Sequence, residues 1–485
     1  MRPEVAAGQG DNRFIIPNVE IPRRFGSRIL CRIISSMSGP PAISTVLSFE
    51  DARHVVERQA ALIQANNAQA RNARARTESV DLLSAAGRVL SEPVTADRDL
   101  PPFPRSTRDG YAVRSADLSK LPAVLEVIGE IKAGEKLERI PASIGPGQSA
   151  SIMTGAPVPA GADAIVMVEY TSQREKRVEI NRGEITRVAI NKTVAPGENI
   201  VRRGAEALQG SVLVESGVRL NEAAIALAAS VGKSRLQVYK RPRVAVLTTG
   251  DEIVDVDATP GPTQIRNSNS YSLAVQIRRA GGEPVLLPVA PDELQALRRL
   301  IEEGLQSDLL ILTGGVSMGR YDLVEQALSE MRAEFFFTGA KIQPGRPVVF
   351  GKCGADTPFG KLRAGSVREK LATYFFGLPG NPVSTMVTFE LFARPVLEAL
   401  AGESPRKLNF LHARLKREIR VKTGLKRFLP AIFSGEFELS EVELVTWQGS
   451  GDIAATARAN CYIVIPSDRE HIPAGEWVAV MKIDC

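Results

Sequence analysis

From Arg241 onward the chain repeats one pattern, and that pattern limits the folds open to it more than any other feature. A short apolar run breaks into a glycine or proline loop, and a helix-like segment follows. "RVAVLTTGDE" precedes "SYSLAVQIRRAGG", "EPVLLPVAPDE" precedes "LQALRRLIEEGL", "DLLILTGGVSMG" precedes "VEQALSEM", and "ATYFFGLPGNPVS" precedes "TMVTFELFARPVLEAL". Apolar runs without alternation are the mark of strands buried on both faces, and amphipathic helices between them supply the cover. A parallel α/β sheet covered on both faces is therefore expected over residues 239–402.

The rest of the chain has other textures. Ser48, followed by acidic residues, is a helix cap, and "SFEDARHVVERQAALIQANNAQARNARARTESVDLLSAAGRVLSEPV" reads as helix from there, with a second helix expected at "VDLLSAAGRVL". Pro101, Pro102 and Pro104 then bar any helix and mark a boundary. Residues 104–187 hold short β-branched runs between Pro and Gly clusters, which predicts a small β-domain, and 403–485 read as a second β-unit, a barrel or a sandwich. Residues 354–371 interrupt a connection otherwise of hairpin length and are read as a surface insertion. Residues 1–44 are expected to form a disordered extension, since "RILCRIISSM" carries Arg within its apolar stretch and no cleavage pattern.

The net charge of +6 raises the question of nucleic acid. About five of those charges lie in residues 1–36 and 354–371, leaving the remainder nearly neutral, so a phosphate-backbone binder is not indicated. No apolar run approaches the roughly 20 residues that cross a bilayer. The four Cys (31, 353, 461, 485) and three His (54, 412, 471) show no ligand spacing. A zinc knuckle or disulfide framework is thus not indicated; a hard cation on carboxylates remains open, and a reducing cytoplasm fits best.

Three loops should sit at the carboxyl ends of the parallel strands, where α/β sheets bind ligands: Thr248–Glu252, Thr313–Asp322 and Gly377–Ser384. None matches a Walker A or GxGxxG pattern. Glycines allow close backbone approach, and Ser317 offers a hydroxyl. Asp251, Glu252 and Asp322 beside such a cradle would repel a phosphate unless a divalent cation such as Mg²⁺ lay between. A nucleotide or phosphate ester with a divalent cation is the reading that follows. Asp109 before Gly110 is by itself ordinary turn chemistry.

Taken together, "PPF", "DGYAVR", "IMTGAPVPAGADAIVMVE", "TTGDE", "TGGVSMGRYD", "QPGRPVVFG", "GLPGNPVS" and "QGSGDIA" closely resemble the molybdopterin molybdenumtransferase family, MoeA in bacteria and the gephyrin E domain in animals. The likeness spans about residues 45–485 apart from the insertion. It implies an elongated multidomain subunit of α/β plus β class. Its parts would be a helical and extended N-terminal domain in two segments (45–103 and 188–238), the small β-domain, the α/β molybdopterin-binding domain and a C-terminal β-barrel. It also implies a cytoplasmic homodimer that inserts molybdate into adenylylated molybdopterin with Mg²⁺ and releases AMP, a molybdopterin adenylyltransferase being a candidate partner. An adenylyltransferase-like enzyme and a non-catalytic molybdopterin-binding scaffold are the alternatives.

By that resemblance, Asp109, Thr154, Glu252 and Asp322 are the catalytic candidates, and Asp251, Glu252 and Asp322 the metal candidates. Substrate contacts are assigned to Thr249, Gly250, Ser268, Asn269, Gly314, Gly315, Ser317, Gly319, Lys341, Arg346, Pro379, Gly380, Asn381, Ser384 and Ser450. Asp292 matches another cleft position and equally suits a helix N-terminal carboxylate. The chain departs from the family at Arg108, often Met, at Gln343, often Lys, and at Pro430, often Arg. "RRGAEA" replaces the common "RRGED" and moves the acid to Glu206. Lys341 and Arg346 could supply the lost positive charge.

Overall fold

The computed structural model describes residues 45–69, 76–179, 183–315, 323–354, 372–404, 407–435 and 439–483. The expected N-terminal extension, the body of the insertion, Ser317, Gly319 and Asp322 lie outside them.

The repeated pattern becomes a six-stranded sheet in the order Glu283–Leu286, Arg243–Thr248, Leu309–Thr313, Thr373–Leu378, Val349–Cys353, Glu334–Phe337. The first four strands are parallel. Val349–Cys353 runs antiparallel to Thr373–Leu378, and Glu334–Phe337 runs antiparallel to it in turn, so one reversed strand corrects the expectation of a wholly parallel sheet at this edge. The cause is the connection: Cys353 pairs with Thr373 across the insertion, and a hairpin can only reverse the chain.

Both faces are covered, and residues alternate between two cores. Val244, Val246, Leu309 and Ile311 face helix Asn269–Arg279 and the helical segment that starts at Pro382. Ala245, Leu247, Leu310 and Leu312 face helices Leu294–Gly304 and Leu323–Glu330. This is the period of two that a strand imposes, with apolar residues at both phases because both faces are dry. Phe376 stacks on Phe350 with ring centroids 4.3 Å apart at an interplanar angle of 5°. Phe376→Ala should cost about 3–5 kcal/mol, read as a lowered urea midpoint.

Helix Phe49–Gln69 starts where the cap predicts: the Asp51 N–H donates to Ser48 Oγ at 3.0 Å. Phe49, Ala52, Val56, Ala60 and Ile63 form its buried stripe at helical spacing and join the α/β core. Phe49 also meets Phe428 of the C-terminal unit at 5.4 Å, so this helix ties the two together. The second helix shrinks to one turn, Leu82–Ala85, capped by Asp81 accepting from the Ser84 N–H at 3.0 Å. Val80 and Asp81 instead belong to strand Thr77–Asp81, paired antiparallel with Arg235–Tyr239, and this long-range pairing overrides local helix preference.

The small β-domain is a six-stranded sheet containing Gly110–Val113 between Gln148–Ile152 and Ala164–Met167. The C-terminal unit is a closed ring rather than a sandwich. Strands Lys426–Ser434, Glu441–Leu444, Leu411–Leu415, Trp477–Lys482 and Cys461–Ile465 pair in sequence, and the last also pairs with the first. Closure leaves no open edge in the ring. Residues Ile342–Gln343 add a parallel stub to strand Lys426–Ser434. No helix among the described residues is long and apolar enough to cross a membrane.

Candidate active site at the glycine loops

Strands Arg243–Thr248, Leu309–Thr313 and Thr373–Leu378 end level with one another, because Thr248 pairs with Thr313 and Thr313 with Leu378. Their loops therefore emerge side by side. The Thr249 N–H donates to Thr313 O at 3.0 Å, and Thr313 Oγ1 donates to Pro379 O at 3.0 Å. Asn269 Nδ2 spans the gap, donating to Thr313 Oγ1 at 3.0 Å and to Gly380 O at 2.7 Å. Thr248 Oγ1 and Ser270 Oγ lie 2.8 Å apart, and Asn267 Nδ2 donates to Ser270 Oγ at 2.9 Å. This buried polar layer fixes the loops from beneath.

Two atoms of that layer are buried without a partner in the described structure: Thr249 Oγ1 and Asn269 Oδ1. A buried polar atom left unpaired costs about 1–3 kcal/mol. Unpaired atoms directly below a loop cradle fit a site completed by a polar ligand or its water. The C-terminal unit reaches the same place: Asn381 Nδ2 donates to Ser450 Oγ at 2.8 Å, and the Val383 N–H donates to Ser450 O at 3.1 Å.

The carboxylates divide. Asp251 Oδ1 accepts the Asp292 N–H at 3.1 Å, which assigns Asp292 a backbone part in shaping the loop. Glu252 is exposed and folds back over Gly250. Both offer hard oxygen donors suited to Mg²⁺, but no cluster of three such groups occurs among the described residues, Asp322 being outside them. Ser268 is exposed at the start of helix Asn269–Arg279, Ser384 is buried in the turn after Asn381, and Lys341 and Arg346 are exposed.

Asp109 and Thr154 form a second constellation, in the small β-domain. Gly110 pairs with Ile152, so the residues just beyond each strand end meet. Asp109 Oδ1 accepts from the Thr154 N–H at 2.6 Å and from Thr154 Oγ1 at 2.9 Å. These bonds, the backbone one first, hold the exposed Asp109 carboxyl below the usual aspartate range, so it stays ionised. Buried Cys461, by contrast, is pushed up to about 11 by desolvation and stays a thiol.

Thr248 and Thr313 were anticipated only as the first residues of their loops, and Asn267 and Ser270 were not anticipated as part of the site. The signal for this polar layer is a threonine closing an apolar strand: Thr248 and Thr313 each end a run of four buried residues, where a β-branched hydroxyl can bond a neighbouring loop.

Comparison with known proteins shows the family. Residues 47–232 match the MoeA N-terminal region (domain I and II), 245–399 a probable molybdopterin binding domain, and 412–483 the MoeA C-terminal region (domain IV). The molybdopterin molybdenumtransferase of Nostoc sp. is 34% identical over 421 residues, covering 84% of this chain and 89% of the relative. That of Bacillus subtilis is 32% identical over 418 residues, covering 84% and 90%. A crystal structure of a molybdopterin biosynthesis MoeA protein from Pyrococcus horikosii superposes with a TM-score of 0.61 at 29% identity, over 90% of this chain and 99% of that one. With three consecutive family regions matched and relatives above 30% identity along most of its length, the chain belongs to the molybdopterin molybdenumtransferase family.

Proposed function

We propose that this chain inserts molybdate into adenylylated molybdopterin and releases AMP in a Mg²⁺-dependent reaction. Its place is molybdenum cofactor biosynthesis, as a molybdopterin molybdenumtransferase. The observation that carries the finer reading is the convergence of three glycine loops and Ser450 at the ends of parallel strands, over a buried polar layer that leaves the Thr249 hydroxyl and Asn269 Oδ1 unpaired. Such a surface suits a polar, anionic molecule lying across the strand ends.

Backbone N–H groups around Gly250, Gly314 and Gly315 would hold phosphate oxygens, and Asn381 and Ser450 would orient the ligand from the other side. Asp251, Glu252 and Asp322 would hold Mg²⁺ with waters and substrate oxygens completing its shell, as is usual for this ion. Bound there, Mg²⁺ supplies positive charge against the pyrophosphate link. Asp109 and Thr154, ionised acceptor and hydroxyl, would position molybdate across a homodimer. The metal's sulfur ligands belong to the substrate, so the reaction needs no protein Cys or His cluster. A reducing cytoplasm and supply of substrate by a molybdopterin adenylyltransferase complete the proposal.

The test is release of AMP from adenylylated molybdopterin with Mg²⁺, with and without molybdate. Molybdate-dependent release, lost on Glu252→Gln and Asp322→Ala in folded protein, is the expected result. Tight binding with no release would establish a scaffold. Formation of the adenylylated compound from ATP would establish an adenylyltransferase.

A further inference from the structure

The small β-domain holds a buried hydroxyl that the proposed reaction does not use. Ser106 is fully buried and stands one short turn before Asp109. Two arms of chain meet at the Asp109–Thr154 pair, and each is fastened at both ends. On one side Gly110 pairs with Ile152 in the sheet. On the other, the Ser106 N–H donates to Ala156 O at 3.0 Å, the Gly155 N–H to Ser106 O at 2.8 Å and the Val158 N–H to Pro104 O at 2.9 Å. Between these anchors the first arm carries Thr107, Arg108 and Asp109, the second only Met153 and Thr154. The arms are unequal, so the surplus residue has to be folded away, as in a β-bulge that re-aims a side chain.

Ser106 does the folding. Its Oγ donates to Arg108 O at 2.6 Å and accepts the Arg108 N–H at 3.2 Å, so one hydroxyl closes both polar ends of the residue that leads into Asp109. Thr107 is held from outside, its N–H and its Oγ1 donating to Asn199 O at 3.0 Å and 3.2 Å. Asn199 stands at a left-handed φ of +60° and is pinned there by its Nδ2, which donates to Ile165 O at 2.9 Å. A left-handed residue other than glycine persists where its surroundings over-determine it. A turn closed by a serine is common in loops. This one differs because the same residue grips Arg108 with its side chain and Gly155 and Ala156 with its backbone. Ser106 thus holds the immediate neighbour of each member of the pair.

We propose that Ser106 is a positioning residue for the reaction, setting the distance and angle at which Asp109 meets Thr154 across the two arms. The inference rests on the part given to Asp109 in the proposed function. Both Thr154 bonds fall on Asp109 Oδ1, so the turn of the carboxyl, and with it the direction of Oδ2, follows from where the arms are fixed.

The test is a double-mutant cycle on the full chain, read by molybdate-dependent AMP release from adenylylated molybdopterin with Mg²⁺ and by hydrogen exchange at the Thr154 amide. Ser106→Ala removes the hydroxyl and keeps every backbone donor and acceptor of the arms. It should lower kcat about 10-fold or more, the scale of a small misplacement at a reacting group. The KM for adenylylated molybdopterin should stay within about twofold, because the glycine loops are untouched. In an Asp109→Asn background the same change should cost less than about twofold, since it acts through a charge already removed; a merely structural role would cost the same in both backgrounds. Exchange at Thr154 should quicken in Ser106→Ala and stay unchanged in the barrel strand Cys461–Ile465. If Ser106→Ala does not fold, Ser106→Cys, close in shape and a much weaker donor, carries the same readouts. With Asp109→Asn impaired, an undiminished kcat in the folded Ser106 variant, equal losses in the two backgrounds, or unchanged exchange at Thr154 would overturn this proposal alone. Full turnover by Asp109→Asn would sink the part given to Asp109 and this proposal with it. If the parent releases no AMP, the transferase reading falls; faster exchange at Thr154 would then sustain the assignment of Ser106 to the pair, and unchanged exchange would overturn it.

Discussion

Asp109→Asn is expected to lower molybdate-dependent AMP release on the order of 10²-fold, the usual scale for removing one electrostatic contact to a reacting group. Its thermal midpoint should stay near the parent's, because the substituted group is exposed and the amide oxygen can still accept both Thr154 bonds. The substitution therefore separates charge from geometry. Asp109→Ala removes both and should fall at least as far. Thr154→Val keeps the backbone donor that contributes most to holding the carboxyl ionised, and should lose less than either. The acid limb of the pH profile supplies a second check. The depressed pKa keeps Asp109 ionised below the ordinary aspartate range, so any loss due to its protonation belongs at a pH below that range. Full turnover by folded Asp109→Asn would remove Asp109 from the reaction.

How much of this was legible beforehand depends on what carries the signal. The α/β core is legible because burial on both faces leaves strands such as Leu309–Thr313 uninterrupted by polar residues. The reversed strand Val349–Cys353 was legible only as one side of a connection of hairpin length, because the insertion separates Cys353 from its partner Thr373 in sequence. The helix expected at 80–90 fails because its first residues are claimed by Arg235 and Leu236, over 150 positions away. Gly110 is instructive in another way. Next to Asp109 it has the look of a turn, yet it opens a strand, and its requirement is space: a Cβ there would collide with Val166 O of the neighbouring strand. Asp109 is thereby presented at a strand end.

The largest combined loss of stability and function is expected at Gly314. Its φ of +87° lies in the left-handed region, where an L side chain costs about 1–2 kcal/mol. A Cβ would in addition fall 2.5 Å from Thr249 O and 3.2 Å from Thr249 Oγ1. Relief by moving the Thr249 carbonyl is blocked on one side by the Thr249 N–H to Thr313 O bond and on the other by strand pairing at Thr248. Gly314→Ala should therefore cost about 2–4 kcal/mol in all, strain and overpacking together. Gly380 lies close enough that a Cβ on it would be 3.5 Å from Gly314 Cα, so displacement of one loop is passed to the next. A shift of about 1 Å in the cradle is enough for a loss on the order of 10²-fold in turnover. Gly475→Ala is the control: φ is +84° and nothing lies within 4 Å of the added carbon. It bears the strain without the collision, at about 1–2 kcal/mol, and lies in the turn before strand Trp477–Lys482 of the C-terminal unit, so turnover should persist. Urea midpoints and AMP-release rates on the same preparations decide the matter. Equal effects at the two glycines would mean that backbone strain, and not the close packing of three loops, sets the cost at Gly314.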